Sequence, residues 1–126
     1  MASWVNEIPG TPEPRYEEVY FEFTSGYTKN STSNDILQFV IGGNEYLVNL
    51  SGRSSMNTYD LADYVRVVLP LLAAPNWTIT RTVRNGHDTI KCVAKTYGAK
   101  GMSSFNGEYF ADTGVRAIVS AIKGIS

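Results

Sequence analysis

The feature that most constrains the fold of this chain is a pair of threonine-rich, β-branched runs in residues 77–97, separated by Asn85-Gly86-His87-Asp88. Residues of this kind fit a pleated strand, and Asn-Gly supplies the positive φ angles that a tight turn requires. The sequence therefore predicts a β-hairpin. Side chains alternate across a strand, so the two faces of this hairpin collect different residues.

The two faces of the hairpin differ in chemistry. One is mostly apolar and contains Trp77, Ile79, Arg81, Val83, Ile90, Cys92, Ala94 and Thr96. The other, hydroxylic and cationic, contains Thr78, Thr80, Thr82, Arg84, Thr89, Lys91, Val93, Lys95 and Tyr97. A loop of two or four residues gives the same division, and only a three-residue loop would mix the faces.

Length and composition predict one ordinary domain. The chain has 126 residues, of which 43% are hydrophobic, so it can bury a core without disulfides or metal. The single cysteine, Cys92, is expected to be a buried small hydrophobe and not a reactive thiol. One histidine and one cysteine cannot supply a His/Cys metal cluster, and we expect no metal and no cofactor.

Two patterns bear on location and partners. The sequence has no apolar stretch near the roughly 20 residues that span a bilayer, and its amino terminus lacks a signal-peptide pattern, so we expect neither membrane insertion nor signal-directed export. Residues 1–63 carry nine acids and three bases, whereas residues 64–126 carry eight bases and three acids. This asymmetry suits a polyanion partner or self-association of unlike surfaces, unless the halves neutralise each other within one fold.

The amino-terminal half predicts an arm followed by three strands. Residues 1–14 hold three of the five prolines and no periodic pattern, which indicates an arm before a single domain over residues 15–126. A half-buried strand begins at Tyr16, with Val19, Phe21 and Phe23 on one face and Glu18, Tyr20 and Glu22 on the other. Residues 35–50 predict a hairpin about Gly42-Gly43, the expected pairs being Ile41 with Tyr46, Phe39 with Val48 and Leu37 with Leu50. These three strands are expected to form a meander.

Helical spacing of apolar residues appears twice. Residues 58–73 favour a helix with Asn57 or Thr58 as its cap, although β-rich residues and Pro70 leave a strand over residues 64–69 as the alternative. Residues 111–125 favour a C-terminal amphipathic helix whose stripe is Val115, Ile118, Val119 and Ile122. The resulting fold class is α+β, an antiparallel sheet of about five to six strands in a hairpin meander, covered on one face by the C-terminal helix.

The sequence favours a protein without enzymatic activity. It contains no phosphate-binding glycine motif, no G-x-S-x-G and no C-x-x-C. A histidine-based mechanism would have to use His87, which falls in the hairpin turn. Glu17 and Glu18 point to opposite faces of a strand and cannot share a proton.

The hydroxylic and cationic face is the candidate binding site. Its lysines and arginine can neutralise phosphates, its threonines can donate to phosphates or base edges, and Tyr97 offers a ring for an unstacked base. The predicted RNA-binding set is Thr78, Thr80, Thr82, Arg84, Thr89, Lys91, Lys95 and Tyr97. The alternative is that these residues form only the solvated side of an antiparallel sheet.

The runs Thr80-Arg81-Thr82-Val83-Arg84-Asn85 and Thr89-Ile90-Lys91-Cys92-Val93-Ala94-Lys95 resemble the central hairpin of coat proteins from single-stranded RNA bacteriophages. The later run Tyr109-Phe110-Ala111-Asp112-Thr113, leading towards Ile122, is similar to the last strand entering that family's carboxy-terminal helices. The similarity covers roughly half of the chain. Three features depart from the family pattern: a helix at residues 58–73, Pro70, and the short chain after Phe110.

The resemblance implies a homodimer with interlocking helices, assembly of dimers into a virion shell in the host cytoplasm, and an RNA hairpin bound on the polar sheet face. The loop over residues 97–107 would then be an inter-dimer contact. Two other hypotheses remain open. One is a small phage or bacterial interaction protein that binds another protein through an acidic surface of Glu17, Glu18 and Glu22, and the other is a small enzyme or nucleotide binder.

Overall fold

The computed structural model describes residues 13–30, 33–73 and 76–126, in which two antiparallel sheets and one helix share a core. In chain order the elements are β1 (Tyr16–Ser25), β2 (Ile36–Ile41), β3 (Asn44–Asn49), α1 (Thr58–Ala73), β4 (Trp77–Arg84), β5 (His87–Tyr97), β6 (Ser104–Asn106) and β7 (Arg116–Ile122). The larger sheet has the order β4-β5-β1-β7 and the smaller one β3-β2-β6. Most of the expected arm, residues 1–12, lies outside the described residues.

The predicted hairpin over residues 77–97 is confirmed. Asn85 and Gly86 form a two-residue turn with φ angles of 53° and 79°. Ile79 pairs with Cys92 and Thr80 with Lys91, which reproduces the two expected faces. Cys92 is buried as expected, and burial raises the pKa of its thiol to about 12.

The expected meander is wrong, because β1 belongs to the larger sheet and lies between β5 and β7. Its apolar face packs on the smaller sheet instead of pairing beside it. The Phe21 and Phe39 rings meet edge to face with centroids 5.1 Å apart, and the ring centroids of Phe39 and Phe105 are 5.0 Å apart. A strand with one apolar face can bury it against an opposing sheet as well as under a helix, and alternation alone does not distinguish these arrangements.

The hairpin of β2 and β3 forms in a different register from the one expected. Gly42 and Gly43 make a two-residue turn with φ angles of 59° and 89°, so Phe39 pairs with Tyr46 and Leu37 with Val48. The shift is two residues. Because side chains alternate with a period of two, the same residues still point into the core.

The helix at residues 58–73 is confirmed, and the alternative of a strand there is wrong. Asn57 caps it, since the Asp60 N–H donates to Asn57 Oδ1 at 2.8 Å. Pro70 lies inside the helix near its end, removing one backbone donor. Leu69 and Ala73, on either side of Pro70, are buried, so packing against the sheets stabilises the helix beyond the proline.

The predicted C-terminal helix is wrong, because residues 116–122 form strand β7 on the free edge of β1. A short apolar run fits helical and extended periods alike, and the unpaired edge of β1 decides between them. Before this strand, Asp112 accepts from the Gly114 N–H at 2.9 Å in a turn. Gly114 has a φ of 77°, which ends any helical path there.

Two layers cover the inner face of the larger sheet. The smaller sheet lies over β1 through the phenylalanine cluster, and α1 packs over β4 and β5. The opposite face of β4 and β5 is open to solvent at Thr78, Thr80 and Lys95. Within the described residues, no helix has the length and apolar character needed to cross a bilayer.

Candidate nucleic-acid interface

The predicted RNA-binding residues share the outer side of β4 and β5, a surface called here the threonine face: Thr78, Thr80, Thr82, Arg84, Thr89, Lys91, Lys95 and Tyr97. Pairing of Thr80 with Lys91 brings hydroxyl and ammonium groups together across the two strands. Thr78, Thr80, Lys95 and Tyr97 are exposed, and Thr82, Arg84 and Lys91 are half-buried. Seven of the eight side chains therefore have some access to solvent.

Thr89 is the exception in this set. It is fully buried, and its hydroxyl donates to the His87 carbonyl at 2.9 Å. A ligand on the threonine face cannot contact it. The sequence did not reveal this burial because it depends on β1, which pairs beside β5 and places Glu22 next to Thr89.

Strand β1 adds acidic groups to the same surface. Tyr20 pairs with Lys91 and Glu22 with Thr89, so Glu18, Tyr20 and Glu22 point to the side of the threonine face. Lys91 Nζ lies 4.0 Å from a Glu18 oxygen, and Arg84 Nε lies 3.8 Å from a Glu22 oxygen. These two cations are therefore partly neutralised by the neighbouring strand.

Glu22 and Tyr20 fix the cations that they contact. His87 Nδ1 lies 3.1 Å from Glu22 Oε1 and the Asn85 amide donates to the same carboxylate, which together hold the pKa of Glu22 below its ordinary value. The Arg84 guanidinium lies over the Tyr20 ring at 3.8 Å from its centroid. The Tyr20 hydroxyl donates to Glu18, and this bond raises the pKa of Tyr20.

Positive charge without a carboxylate partner lies at the other end of β5. Within the described residues, neither Lys95 nor Lys100 forms an ion pair. Lys100 Nζ donates to Thr96 Oγ1 at 2.7 Å and to the Tyr97 carbonyl at 3.3 Å. These bonds direct the ammonium group of Lys100 towards the C-terminal end of β5, where Lys95 lies. Sequence reasoning found Lys95 and missed Lys100, which follows β5 in a glycine-rich loop.

Tyr97 is not a free stacking platform. Its ring stacks on Tyr16 with centroids 4.5 Å apart and an interplanar angle of 16°. The adjacent Tyr97 phenol raises the pKa of Tyr16. Both rings are exposed, and Tyr16 lies beside Thr78 and Lys95 in a shallow groove, so the pair presents one joint aromatic surface next to an unpaired cation.

The acidic surface expected for an interaction protein does not form. Glu17 is fully buried, and Glu22 is buried beneath its partners, so neither lies at an open surface with Glu18. Glu18 lies on the side of the threonine face, whereas the buried Glu17 carboxylate accepts from the backbone N–H groups of Lys100 and Gly124. Among the residues that the structure describes, no group of three or more His, Cys, Asp or Glu side chains is arranged to hold a metal ion.

Comparison with family models, with curated proteins and with solved structures gives no match to this chain.

Proposed function

We propose that this chain is a structural protein without enzymatic activity, which binds single-stranded RNA on the threonine face and self-associates as a virion coat subunit does. The observation that carries the proposal is the end of β5, where unpaired Lys95 lies beside exposed Thr78 and the stacked Tyr16 and Tyr97 rings. This combination supplies a cation, a hydroxyl donor and an aromatic surface within one groove.

These groups match the chemistry of an extended RNA strand. Phosphates are attracted to lysine side chains, hydroxyl groups donate to phosphate or base edges, and unstacked bases lie against aromatic rings. The outer face of β4 and β5 presents these groups along two adjacent strands, against which successive nucleotides can lie. Lys91 and Arg84 add positive charge that is already shared with Glu18 and Glu22, so they contribute less.

Self-association is proposed at strand β7, one of the two edge strands of the larger sheet, the other being β4. Among the described residues, no strand bonds to the second edge of β7. Its segment between Arg116 and Lys123 carries no charge, and Ile118 and Ile122 are exposed. An uncharged edge strand is a template for pairing, and antiparallel pairing of β7 with its copy would extend the sheet across a two-fold axis.

The RNA part of the proposal is tested by charge reversal. In Lys91→Glu/Lys95→Glu protein we expect copurifying RNA, measured by the ratio of absorbance at 260 and 280 nm, to be lost. The matched control is Lys29→Glu/Arg53→Glu, which makes the same change in net charge on exposed residues outside the threonine face. Equal RNA content in both variants and in the wild type would move the binding site elsewhere.

The assembly part is tested by size-exclusion chromatography with light scattering. A coat subunit should give particles in the megadalton range, and Ile118→Lys should reduce them to small species because it places a charge at the proposed edge contact. Leu71→Lys, on an exposed position of α1, is the control and should leave assembly unchanged. A wild-type monomer that contains no nucleic acid would refute the coat proposal.

A further inference from the structure

A cleft of about 190 Å³ opens where the turn between β2 and β3 meets the start of β4 and the end of β5. Its lining includes Asn44, Asn76, Trp77, Lys95, Thr96 and Lys100. These residues come from both sheets and from a loop, so no single stretch of sequence indicates the cleft. Lys95 belongs to both the cleft and the threonine face, which makes the two surfaces continuous.

The walls of the cleft are held in place by close packing. Gly42 has a φ of 59°, and a Cβ atom there would lie 2.6 Å from Trp77 Cζ2 and 3.0 Å from Lys100 Cβ. Only glycine allows the three segments to approach so closely at this turn. The backbone N–H of Lys100 also donates to the buried carboxylate of Glu17 at 2.8 Å. The position of Lys100 is therefore fixed from both sides.

The lining combines cations with neutral groups that can both donate and accept. Lys95 and Lys100 have no carboxylate partner within the described residues. The side-chain amides of Asn44 and Asn76 likewise make no hydrogen bond to the described part of the chain. Ammonium groups attract phosphate, and an asparagine amide can match the donor and acceptor pattern of a base edge.

We infer that this cleft binds one unstacked nucleotide of the RNA, with its base between the Asn44 and Asn76 amides and its phosphate at the ammonium groups of Lys95 and Lys100. The inference rests on the proposed function and specifies where the strand leaves the threonine face. Pockets for drug-sized ligands measure about 300–1,000 Å³, so a cleft of about 190 Å³ suits a single base and not a larger cofactor.

The phosphate contacts are tested by fluorescence anisotropy with a labelled single-stranded RNA at several salt concentrations. Each phosphate contact to a single strand contributes about 0.7 to the slope of log affinity against log salt. Lys95→Gln/Lys100→Gln should therefore weaken binding at least about tenfold and reduce the magnitude of that slope by about 1.4. Lys29→Gln/Arg53→Gln, with the same loss of charge elsewhere, should match the wild type.

The outcomes separate this inference from the proposed function. If the wild type binds RNA and Lys100→Gln alone keeps both the affinity and the salt slope while Lys95→Gln lowers them, the cleft is not used and the threonine face remains the site. If the Lys95→Gln/Lys100→Gln protein also keeps both, the groove at Lys95 is not used either. If the wild type binds no RNA, both proposals are wrong. All four substituted positions have solvent access, so the variants should keep the wild-type urea midpoint.

The base contacts are tested with homopolymer RNAs of equal length. Asn44→Ala/Asn76→Ala should reduce the difference in affinity between the best and the worst homopolymer by about tenfold, because good base-edge contacts discriminate by that order. The salt slope should stay the same, since neither amide neutralises a phosphate. An unchanged ranking with unchanged differences would show that no base is read in the cleft.

Discussion

Replacement of Glu17 should be among the most damaging substitutions of a charged residue in this chain. Its side chain is fully buried, and Oε1 accepts from the Lys100 N–H at 2.8 Å and from the Gly124 N–H at 3.3 Å. Lys123 Nζ lies 3.4 Å from Oε2. The carboxylate therefore ties the start of β1 to the loop after β5 and to the C-terminal segment.

The size of the effect follows from these contacts. Glu17→Ala leaves two backbone N–H groups without an acceptor, each costing about 1–3 kcal/mol, and removes the partner of Lys123, so the free energy of unfolding should fall by about 3–5 kcal/mol. Glu17→Gln keeps Oε1 for both N–H groups but replaces Oε2, the acceptor of Lys123 Nζ, by an NH2 donor, which should cost about 1–2 kcal/mol.

Urea unfolding followed by circular dichroism measures both values. Glu18→Ala is the control, because Glu18 is adjacent in sequence but half-buried. It loses one hydrogen bond from Tyr20 and a pair with Lys91 at 4.0 Å, which together should cost about 1–2 kcal/mol. If Glu17→Ala is no more destabilising than Glu18→Ala, the reasoning about the buried carboxylate is refuted.

Three further changes probe the fold. Gly42→Ala should lower the free energy of unfolding, measured by thermal denaturation, by about 2 kcal/mol or more, because the new Cβ is strained at a positive φ and also clashes with Trp77. Gly86→Ala is the control: no atom lies near the new Cβ, so it should cost only the strain of about 1–2 kcal/mol. The folded-state pKa of Glu22 lies below its ordinary value of 4.5, so its ionised form stabilises the fold above that pH, and this stabilisation is lost as the pH falls. In urea unfolding, Glu22→Gln should therefore reduce the decrease of the free energy of unfolding at acid pH. Pro70→Ala should raise the melting temperature, because it restores a helical donor in α1, and an unchanged or lower value would show that the proline ring packs favourably.

The local elements were largely predictable, because their signals are local. The Asn85-Gly86 turn and the alternation around it gave the hairpin and both of its faces, and Asn57 with the apolar spacing after it gave α1. Turn and capping interactions act within a few residues, so they form in the same way whatever the fold of the rest of the chain.

What the sequence could not predict depends on long-range pairing. Residues 116–122 have a helical stripe and an extended alternation at once, and only the free edge of β1 makes them a strand. The same placement of β1 next to β5 puts Glu18 and Glu22 against Lys91 and Arg84. The prediction of which residues share the outer face of β4 and β5 was therefore confirmed, but it did not include the acidic partners that β1 supplies.

The cleft was beyond sequence reasoning for a related reason. Asn44 and Lys100 are 56 positions apart in the numbering of the chain; Asn44 begins β3, whereas Lys100 lies in the loop after β5. They meet only because Gly42 lets the β2–β3 turn approach Trp77. No sequence pattern predicts that two distant segments of different sequence will lie next to each other.

Ultraviolet crosslinking of RNA bound to the wild-type protein, followed by mass spectrometry of the crosslinked peptides, tests most directly where the RNA lies. We expect nucleotide adducts on peptides that contain Tyr16, Lys95 or Lys100, with the same sites recovered at moderate salt. Adducts confined to α1 or to the loop that holds Arg53, with none on β4 or β5, would contradict RNA binding on the threonine face.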